Sequence, residues 1–210
     1  LIHHGHQVLI ESDAGHAIGF DNTSYAAIGA EIVATQQEIF RRADLVVKVK
    51  EPQDVKRQQL RESQTLFTYL HLAPDLSQTQ GLLDSGAACI AYETVTDALG
   101  RLPLLAPMSE VAGRMSVQAG ALCLEKSRGG SGILLGGVPV VHQGRVVTLG
   151  GGLVGQNAAQ MAIGLPANGT IIVCSLYVLR QLSARFRQLL QSLYATTSAI
   201  IVSTLVADLV

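Results

Sequence analysis

Three glycines in the second half of the chain could bind the phosphates of a nucleotide. The apolar run from Val146 to Leu149 is typical of a buried parallel strand, and Gly150, Gly152 and Gly155 follow it directly. The small and apolar residues from Leu153 to Gly164 then fit a helix. A strand, a glycine loop and a helix in this order form the dinucleotide-binding fingerprint.

Each glycine of this loop has its own structural role in the fingerprint. Gly150 can make the tight turn, Gly152 lets the backbone approach a pyrophosphate, and Gly155 lets the helix pack closely on the strand. The phosphates would then bind the free N–H groups at the start of the helix, where Leu153 and Val154 lie. A tight turn of a sheet protein that binds no nucleotide remains the alternative interpretation.

Two side chains in the first half of the chain could act on a small substrate. Lys50 and His71 each follow an apolar run that predicts a strand, and ligands of open α/β sheets bind beyond the carboxyl ends of the strands. If the two strands are neighbours, both side chains reach one crevice. A lysine ammonium can hold a keto oxygen or a carboxylate, and a histidine suits proton transfer near neutral pH. A solvated lysine and a hydrogen-bonded loop histidine are the structural alternative.

Three residues near this candidate site favour structural roles. Lys48 is expected to face the same side of its strand as Lys50, and one of these two lysines is expected to snorkel or to pair with a carboxylate such as Glu51 or Glu93. Tyr92 and Glu93 end the next strand and lie at the same rim.

Ser109 precedes a long helical segment that leads into the glycine loop. It is a plausible N-cap, and its hydroxyl or the helix start could also bind an anion or a nicotinamide amide. The structural role and the cofactor role stay open on these residues alone.

The elements that must position these residues alternate between short apolar runs and helical segments. This rhythm predicts an α/β fold with two doubly wound parallel sheets, the second incomplete. The segment from Thr96 to Pro107 breaks the rhythm with a glycine and two prolines, so we place a domain boundary between residues 103 and 104. Expected elements of the second half include helices over Ser109 to Lys126 and Val178 to Leu193, with a strand over Thr170 to Cys174.

Composition excludes several classes of protein. The 210 residues are 48% hydrophobic with a net charge of −1 and no basic stripe, which argues against a nucleic-acid partner. No apolar run reaches the length of a membrane span. The odd count of three cysteines, without metal-ligand spacing, predicts buried thiols and a reducing, cytoplasmic compartment. The histidines near the start lack partners at ligand spacing, so no metal site is predicted.

Longer motifs identify a family. The segments DLVVKVKEP, LFTYLHLAP, AYETV, LPLLAPMSEVAGRMSVQAGA, GILLGGVP and VVTLGGGLVGQNAAQMAIGL closely resemble alanine dehydrogenase, in family order. The resemblance runs from about Gly5 to about Leu182. It implies NAD-dependent oxidative deamination of L-alanine to pyruvate and ammonium, a reversible reaction. It also implies two Rossmann-like domains and a homohexamer.

The resemblance assigns roles to residues that match the motifs. Lys50 corresponds to the lysine that binds the keto acid, and His71 corresponds to the catalytic histidine. Ser109 corresponds to a cofactor contact. Gly150, Gly152 and Gly155 correspond to the pyrophosphate loop. The first 103 residues are therefore expected to form the substrate domain, and residues 104–210 the NAD-binding domain.

The chain also departs from the family pattern. The family's N-terminal segment, whose arginine grips the substrate carboxylate, has no counterpart, and Val173 stands where the family has the aspartate that binds the adenosine ribose. We therefore expect a truncated or degenerate copy with little or no turnover by these residues alone. The alternatives are a non-catalytic binding or oligomerisation module and a relative of the transhydrogenase subunit.

Overall fold

The computed structural model describes residues 1–186, and the backbone of a further strand at residues 190–194. The chain forms two compact units that divide between Leu102 and Pro103. The sequence places this boundary between residues 103 and 104, and the roles of the units as substrate and cofactor domains stay predictions.

The first unit contains parallel strands with helices between them. Its strands are β1 (Leu9–Glu11), β2 (Glu31–Val33), β3 (Leu45–Val47), β4 (Thr65–Thr68) and β5 (Ala88–Ala91). Its helices are α1 (Asn22–Ala27), α2 (Gln36–Arg42), α3 (Asp54–Arg57) and α4 (Leu76–Ser85), with short 3₁₀ turns at Ile2–His4, His16–Ile18 and Tyr92–Thr94. The strand β1 pairs with β2, and β3, β4 and β5 form a sheet in that order. All of these pairings are parallel, so the α/β class predicted from the rhythm is confirmed.

Side-chain caps fix where three of these helices begin. Asp21, Thr35 and Asp75 each accept a hydrogen bond from a backbone N–H in the first turn of α1, α2 and α4. The hydroxyl and the amide of Ser24 lower the pKa of Asp21 to about 2. Helix α4 ends at Gly86, whose φ of 65° is left-handed and suits glycine.

The core of the first unit lies on one face of the sheet β3–β4–β5. Its buried members are Phe40, Val46, Leu60, Leu66, Leu70 and Leu82. Leu66, in the central strand, is fully buried. On the neighbouring strand, Leu45 remains 47% exposed. Burial in this sheet is therefore one-sided.

The second unit is a parallel sheet with helices packed close to it. Its elements are α5 (Ala106–Cys123), β6 (Arg145–Leu149), α6 (Leu153–Gly164), β7 (Asn168–Val173), α7 (Leu176–Arg185) and β8 (Leu190–Tyr194), with a 3₁₀ turn at Lys126–Arg128. The strand order is β6–β7–β8. Helices α5 and α6 meet at Gly113, where a Cβ atom would lie 2.2 Å from the carbonyl oxygen of Val154. Small residues therefore let these two helices approach each other closely.

Two helix predictions are wrong in their bounds, and α5 ends at Cys123 rather than at Lys126. The helix predicted over Val178 to Leu193 ends at Arg185, and β8 follows because its backbone pairs with β7. Helix α5 begins before Ser109, with Leu105 at its N-cap position. The N–H of Ser109 donates to the carbonyl of Leu105 within the helix, so Ser109 is not the cap.

The prediction of buried thiols is wrong for two of the three cysteines. Cys123 is the last residue of α5 and Cys174 follows β7, and both are exposed. Cys89 is half-buried on β5, and burial raises the pKa of its thiol. Only this last thiol is in the environment expected from the sequence.

Two kinds of feature are absent from the described residues. None of the described helices is long and apolar enough to cross a membrane. Within the same part of the chain, no three His, Cys, Asp or Glu side chains gather as metal ligands.

The one-sided core predicts unequal effects for two leucines on adjacent strands. Leu66→Ala should lower the free energy of unfolding by about 2–5 kcal/mol, because it leaves a cavity in the core. Leu45→Ala, at a half-exposed position, should lower it by about 1 kcal/mol or less. Urea denaturation followed by circular dichroism measures both changes. Equal losses would contradict this description of the core.

Candidate functional site

The pairing of β3 with β4 brings Lys50 and His71 to the same edge of the sheet. The two strands are parallel neighbours, with Val46 opposite Leu66, so their carboxyl ends point the same way. Lys50 and His71 both lie just beyond these ends, and both are exposed. The Lys50 ammonium is 3.9 Å from a carboxylate oxygen of Glu51. Both groups are therefore accessible to a small solute.

Side chains of neighbouring residues hold the backbone around Lys50. The Thr68 hydroxyl donates to the carbonyl oxygens of Val49 and Lys50, at 3.0 and 2.9 Å. The Lys48 ammonium donates to the carbonyls of Lys50 and Glu51. The hydrogen-bond partners of Lys48 are therefore backbone carbonyls rather than the carboxylate that the sequence suggested.

Burial and charge act together on Lys48. Burial lowers the pKa of its ammonium, the positive charge of Lys56 lowers it further, and Glu51 opposes both. The net direction is downward. The half-buried side chain of Lys48 therefore donates hydrogen bonds to the backbone of the loop that carries Lys50.

Glu93 holds the backbone at His71. Its carboxylate accepts from the N–H of His71 at 2.7 Å and from the N–H of Leu70 at 3.1 Å. His71 has a φ of 48°, in the left-handed region that non-glycine residues seldom occupy. The two hydrogen bonds help to offset the cost of this conformation, which is about 1–3 kcal/mol.

The pKa of Glu93 reflects these contacts. Burial raises the pKa, but the backbone amides of His71, Glu93 and Leu70, with the charge of His71, outweigh burial and lower the pKa. The carboxylate therefore stays ionised and keeps its acceptor role.

Aromatic rings pack beside this loop. The Tyr92 ring meets those of Phe67 and Tyr69 edge-on, with centroids 4.2 and 5.0 Å apart. Tyr69 is stacked on His71 with centroids 6.3 Å apart. Burial, and next the interaction with Tyr69, raise the pKa of Tyr92. Tyr92 thus has a packing role in this structure.

A groove in the second unit brings the predicted cofactor residues together. It has a volume of about 660 Å³ and runs between α5, β6 and the start of α6. Its lining includes Ser109, Gly150, Gly152, Leu153, Val154 and Gly155. Residues distant in sequence therefore share one concave surface.

The glycine loop has the geometry that the fingerprint requires. Gly150 has a φ of 93°, and a Cβ on Gly155 would lie 1.9 Å from the carbonyl oxygen of Gly150. Gly152 is the N-cap residue of α6 and makes no side-chain cap, and a Cβ atom there would meet nothing within 4 Å. Gly151 lies outside the predicted fingerprint, and a Cβ there would lie 2.6 Å from the Val178 side chain. The open space at Gly152 and the uncapped helix start fit a diphosphate.

The region expected to bind the adenosine ribose lacks a carboxylate. Val173 is 2% exposed and packs in a cluster with Ile171 and Leu182. The hydroxyl of Ser175 accepts from the N–H of Val178 and caps α7. The residues present therefore fit the phosphate part of NAD better than its ribose.

Sequence reasoning missed two buried polar residues of the first unit. Arg57 is 9% exposed and Gln78 is 1% exposed, and they contact each other through the guanidinium and the side-chain amide. Because both residue types are ordinarily exposed, their types gave no signal of burial. The spacing of Gln78 four residues before the apolar Leu82, on the same face of α4, is the signal that could have indicated its burial.

Comparison with known families covers both units. Residues 1–112 match the model described as alanine dehydrogenase/PNT, N-terminal domain, and residues 116–210 match the alanine dehydrogenase/PNT, C-terminal domain. Together these matches cover most of the chain.

Individual relatives carry the same name. Alanine dehydrogenase of Halomonas elongata is 49% identical over 210 residues, which are 100% of this chain and 57% of the relative. Alanine dehydrogenase of Bacillus subtilis is also 49% identical over the whole chain, which spans 55% of that protein. The chain thus covers little more than half the length of these curated relatives.

Solved structures show the same architecture. A structure titled L-alanine dehydrogenase matches with a TM-score of 0.83 and 44% identity, over 95% of this chain and 55% of that one. The Rossmann-like character of the α/β fold is thereby confirmed. A transhydrogenase from Sinorhizobium meliloti matches with a TM-score of 0.72 and 16% identity, over 92% of this chain and 56% of that one, a similarity of fold alone. The chain belongs to the alanine dehydrogenase/PNT family.

Proposed function

We propose that this chain carries substrate and cofactor residues of an NAD-dependent alanine dehydrogenase. The reaction converts L-alanine, water and NAD⁺ into pyruvate, ammonium, NADH and a proton, and it is reversible. The observation that carries the proposal is the adjacency of β3 and β4, which places Lys50 and His71 beyond the same sheet edge. The names of the relatives support the choice of substrate.

Lys50 and His71 have complementary roles in this proposal. The Lys50 ammonium binds the keto oxygen or the carboxylate of pyruvate, because it is an exposed cation with rotatable N–H donors. His71 transfers a proton near the substrate carbonyl, since imidazole changes charge near neutral pH. The bound NAD supplies hydride transfer.

The glycine loop and Ser109 hold the cofactor in this proposal. The amides at the start of α6 bind the pyrophosphate, and Gly152 leaves room for it. Ser109 lies in the same groove and contributes a hydroxyl. The loss of one acceptor for the ribose at Val173 should weaken binding by about 1–3 kcal/mol.

The remaining assignments follow from the same family. The first unit acts as the substrate domain and the second as the NAD-binding domain. The chain works in the cytoplasm as part of a homo-oligomer.

A titration with NADH, followed by its fluorescence, separates this function from a non-catalytic module. The buried Val173 favours the module, and the retained Lys50 and His71 favour the enzyme. Saturable binding of NADH by the chain supports the proposal. A folded chain that binds no NADH contradicts it.

Gly152→Ala should weaken NADH binding without unfolding the protein. The added methyl meets nothing of the protein within 4 Å, but it occupies the space expected for the pyrophosphate. We expect the dissociation constant to rise about tenfold or more, with a small decrease in the unfolding midpoint because alanine is a poorer N-cap residue than glycine. Gly164→Ala, at the other end of α6 and equally free of contacts, is the matched control. Equal NADH affinities in the two variants would argue against the loop as the phosphate site.

Lys50→Met should weaken pyruvate binding in the presence of NADH. Methionine keeps the length of the side chain but removes a charge-assisted hydrogen bond, so the dissociation constant should rise about 10- to 150-fold. Isothermal titration calorimetry measures the change. Lys126→Met, which removes an exposed lysine of the second unit, should leave pyruvate affinity unchanged. If Lys50→Met also leaves it unchanged, Lys50 is not a substrate ligand.

Glu93→Gln should lower stability at neutral pH but not in acid. The folded-state pKa of Glu93 lies below its ordinary value of 4.5, so its ionised form stabilises the fold above that pH. This contribution disappears as the pH falls through the folded-state pKa. The difference in unfolding midpoint between the native chain and the variant should therefore stay constant from pH 7 to about pH 5 and narrow as the pH falls below 4.5. A difference independent of pH would show that the carboxylate charge is not what stabilises the His71 loop.

A further inference from the structure

The loops that carry Lys50 and His71 are joined beneath the surface by two polar side chains. We propose that Arg57 and Gln78 are positioning residues, which fix the distance and orientation between the Lys50 loop and the His71 loop. This inference rests on the proposed function for the roles of Lys50 and His71. Neither positioning residue needs to touch the substrate.

Arg57 forms the half of the bridge that reaches the Lys50 loop. It lies at the end of α3, and its Nη1 donates to the carbonyl oxygen of Pro52 at 2.8 Å. The same nitrogen is 3.4 Å from the side-chain oxygen of Gln78. Its other terminal nitrogen contacts the carboxylate of Asp54. Pro52 is fully buried two residues after Lys50, so the bridge anchors that loop from below.

Gln78 forms the half that reaches the His71 loop. Its side-chain N–H₂ group donates to the carbonyl oxygen of Leu70. The N–H on the other side of the same peptide bond, that of His71, donates to Glu93. Side chains therefore bind both the carbonyl oxygen and the N–H group of the peptide between Leu70 and His71. These two hydrogen bonds fix the orientation of the peptide plane.

The packing around the bridge makes room for these two side chains. A Cβ atom on Gly81 of α4 would lie 3.1 Å from Nε of Arg57, so a larger residue there would crowd the guanidinium. Apolar residues of similar volume are often as stabilising as a buried ionic group. Unlike apolar packing, a polar bridge is directional, because its hydrogen bonds specify which carbonyl groups of the two loops are joined. That directional property is what a two-loop site requires.

The test uses a near-isosteric substitution at Gln78. Gln78→Glu keeps the side-chain volume and an acceptor for Arg57, but its carboxylate cannot donate to Leu70. We expect amide hydrogen exchange at His71 to become about tenfold faster, because the peptide is released on one side. Pyruvate affinity in the presence of NADH should fall about fivefold or more, and NADH affinity should not change. Gln80→Glu, an exposed position on the same helix, is the matched control and should change none of these quantities.

The outcomes separate positioning from stability. Faster exchange confined to the His71 loop, together with weaker pyruvate binding, supports the proposal. Faster exchange of all core amides, with unchanged pyruvate affinity per folded molecule, overturns it. If Gln78→Glu does not fold, Arg57→Lys is tested instead, because lysine keeps the charge but cannot make the forked contacts of the guanidinium. The same two combinations of hydrogen exchange and pyruvate affinity then support or overturn the proposal.

Failure of the proposed function has a different signature. If the native chain binds no pyruvate, the substrate assignment fails, and exchange at His71 alone tests the bridge. A faster exchange rate at the His71 amide in Gln78→Glu, absent from Gln80→Glu, then supports the positioning role. An unchanged exchange rate at His71 in Gln78→Glu overturns that role.

Discussion

The parallel pairing of β3 with β4 is the constraint on which the first unit's candidate site depends. Leu66, fully buried at the centre of that sheet, fixes which face of β4 turns toward the core. The register then determines where each strand ends, and Lys50 and His71 follow those ends. Hydrogen bonds from Thr68 complete the arrangement by fastening the carbonyls of the first loop to the second strand.

The second unit meets a different constraint, the close approach of backbones. Gly113 allows α5 to lie against α6, and Gly155 allows α6 to lie against the turn at Gly150. Any side chain at these two positions would meet a carbonyl oxygen closer than atoms can approach. The groove that joins Ser109 to the glycine loop exists because these elements are so near each other.

The sequence predicted the parallel α/β class and the glycine loop, because hydrophobic periodicity and glycine spacing are local signals. It did not predict β8, since that strand is defined by its pairing with β7. It also missed the bridge of Arg57 and Gln78, which depends on two helices being brought together by the fold. The roles of Lys50, His71 and Ser109 stay predictions that rest on the motifs shared with the family.

The left-handed backbone at His71 limits which amino acids can stand there. Asparagine and aspartate adopt a φ of 48° more readily than most other non-glycine residues, whereas valine and isoleucine do not. Substitution at this position is therefore limited by the shape of the backbone as well as by the proton transfer proposed for the imidazole. Replacing the histidine by alanine changes the ring and the backbone preference together. Asparagine removes the ring but still tolerates the left-handed backbone, so it separates the two effects.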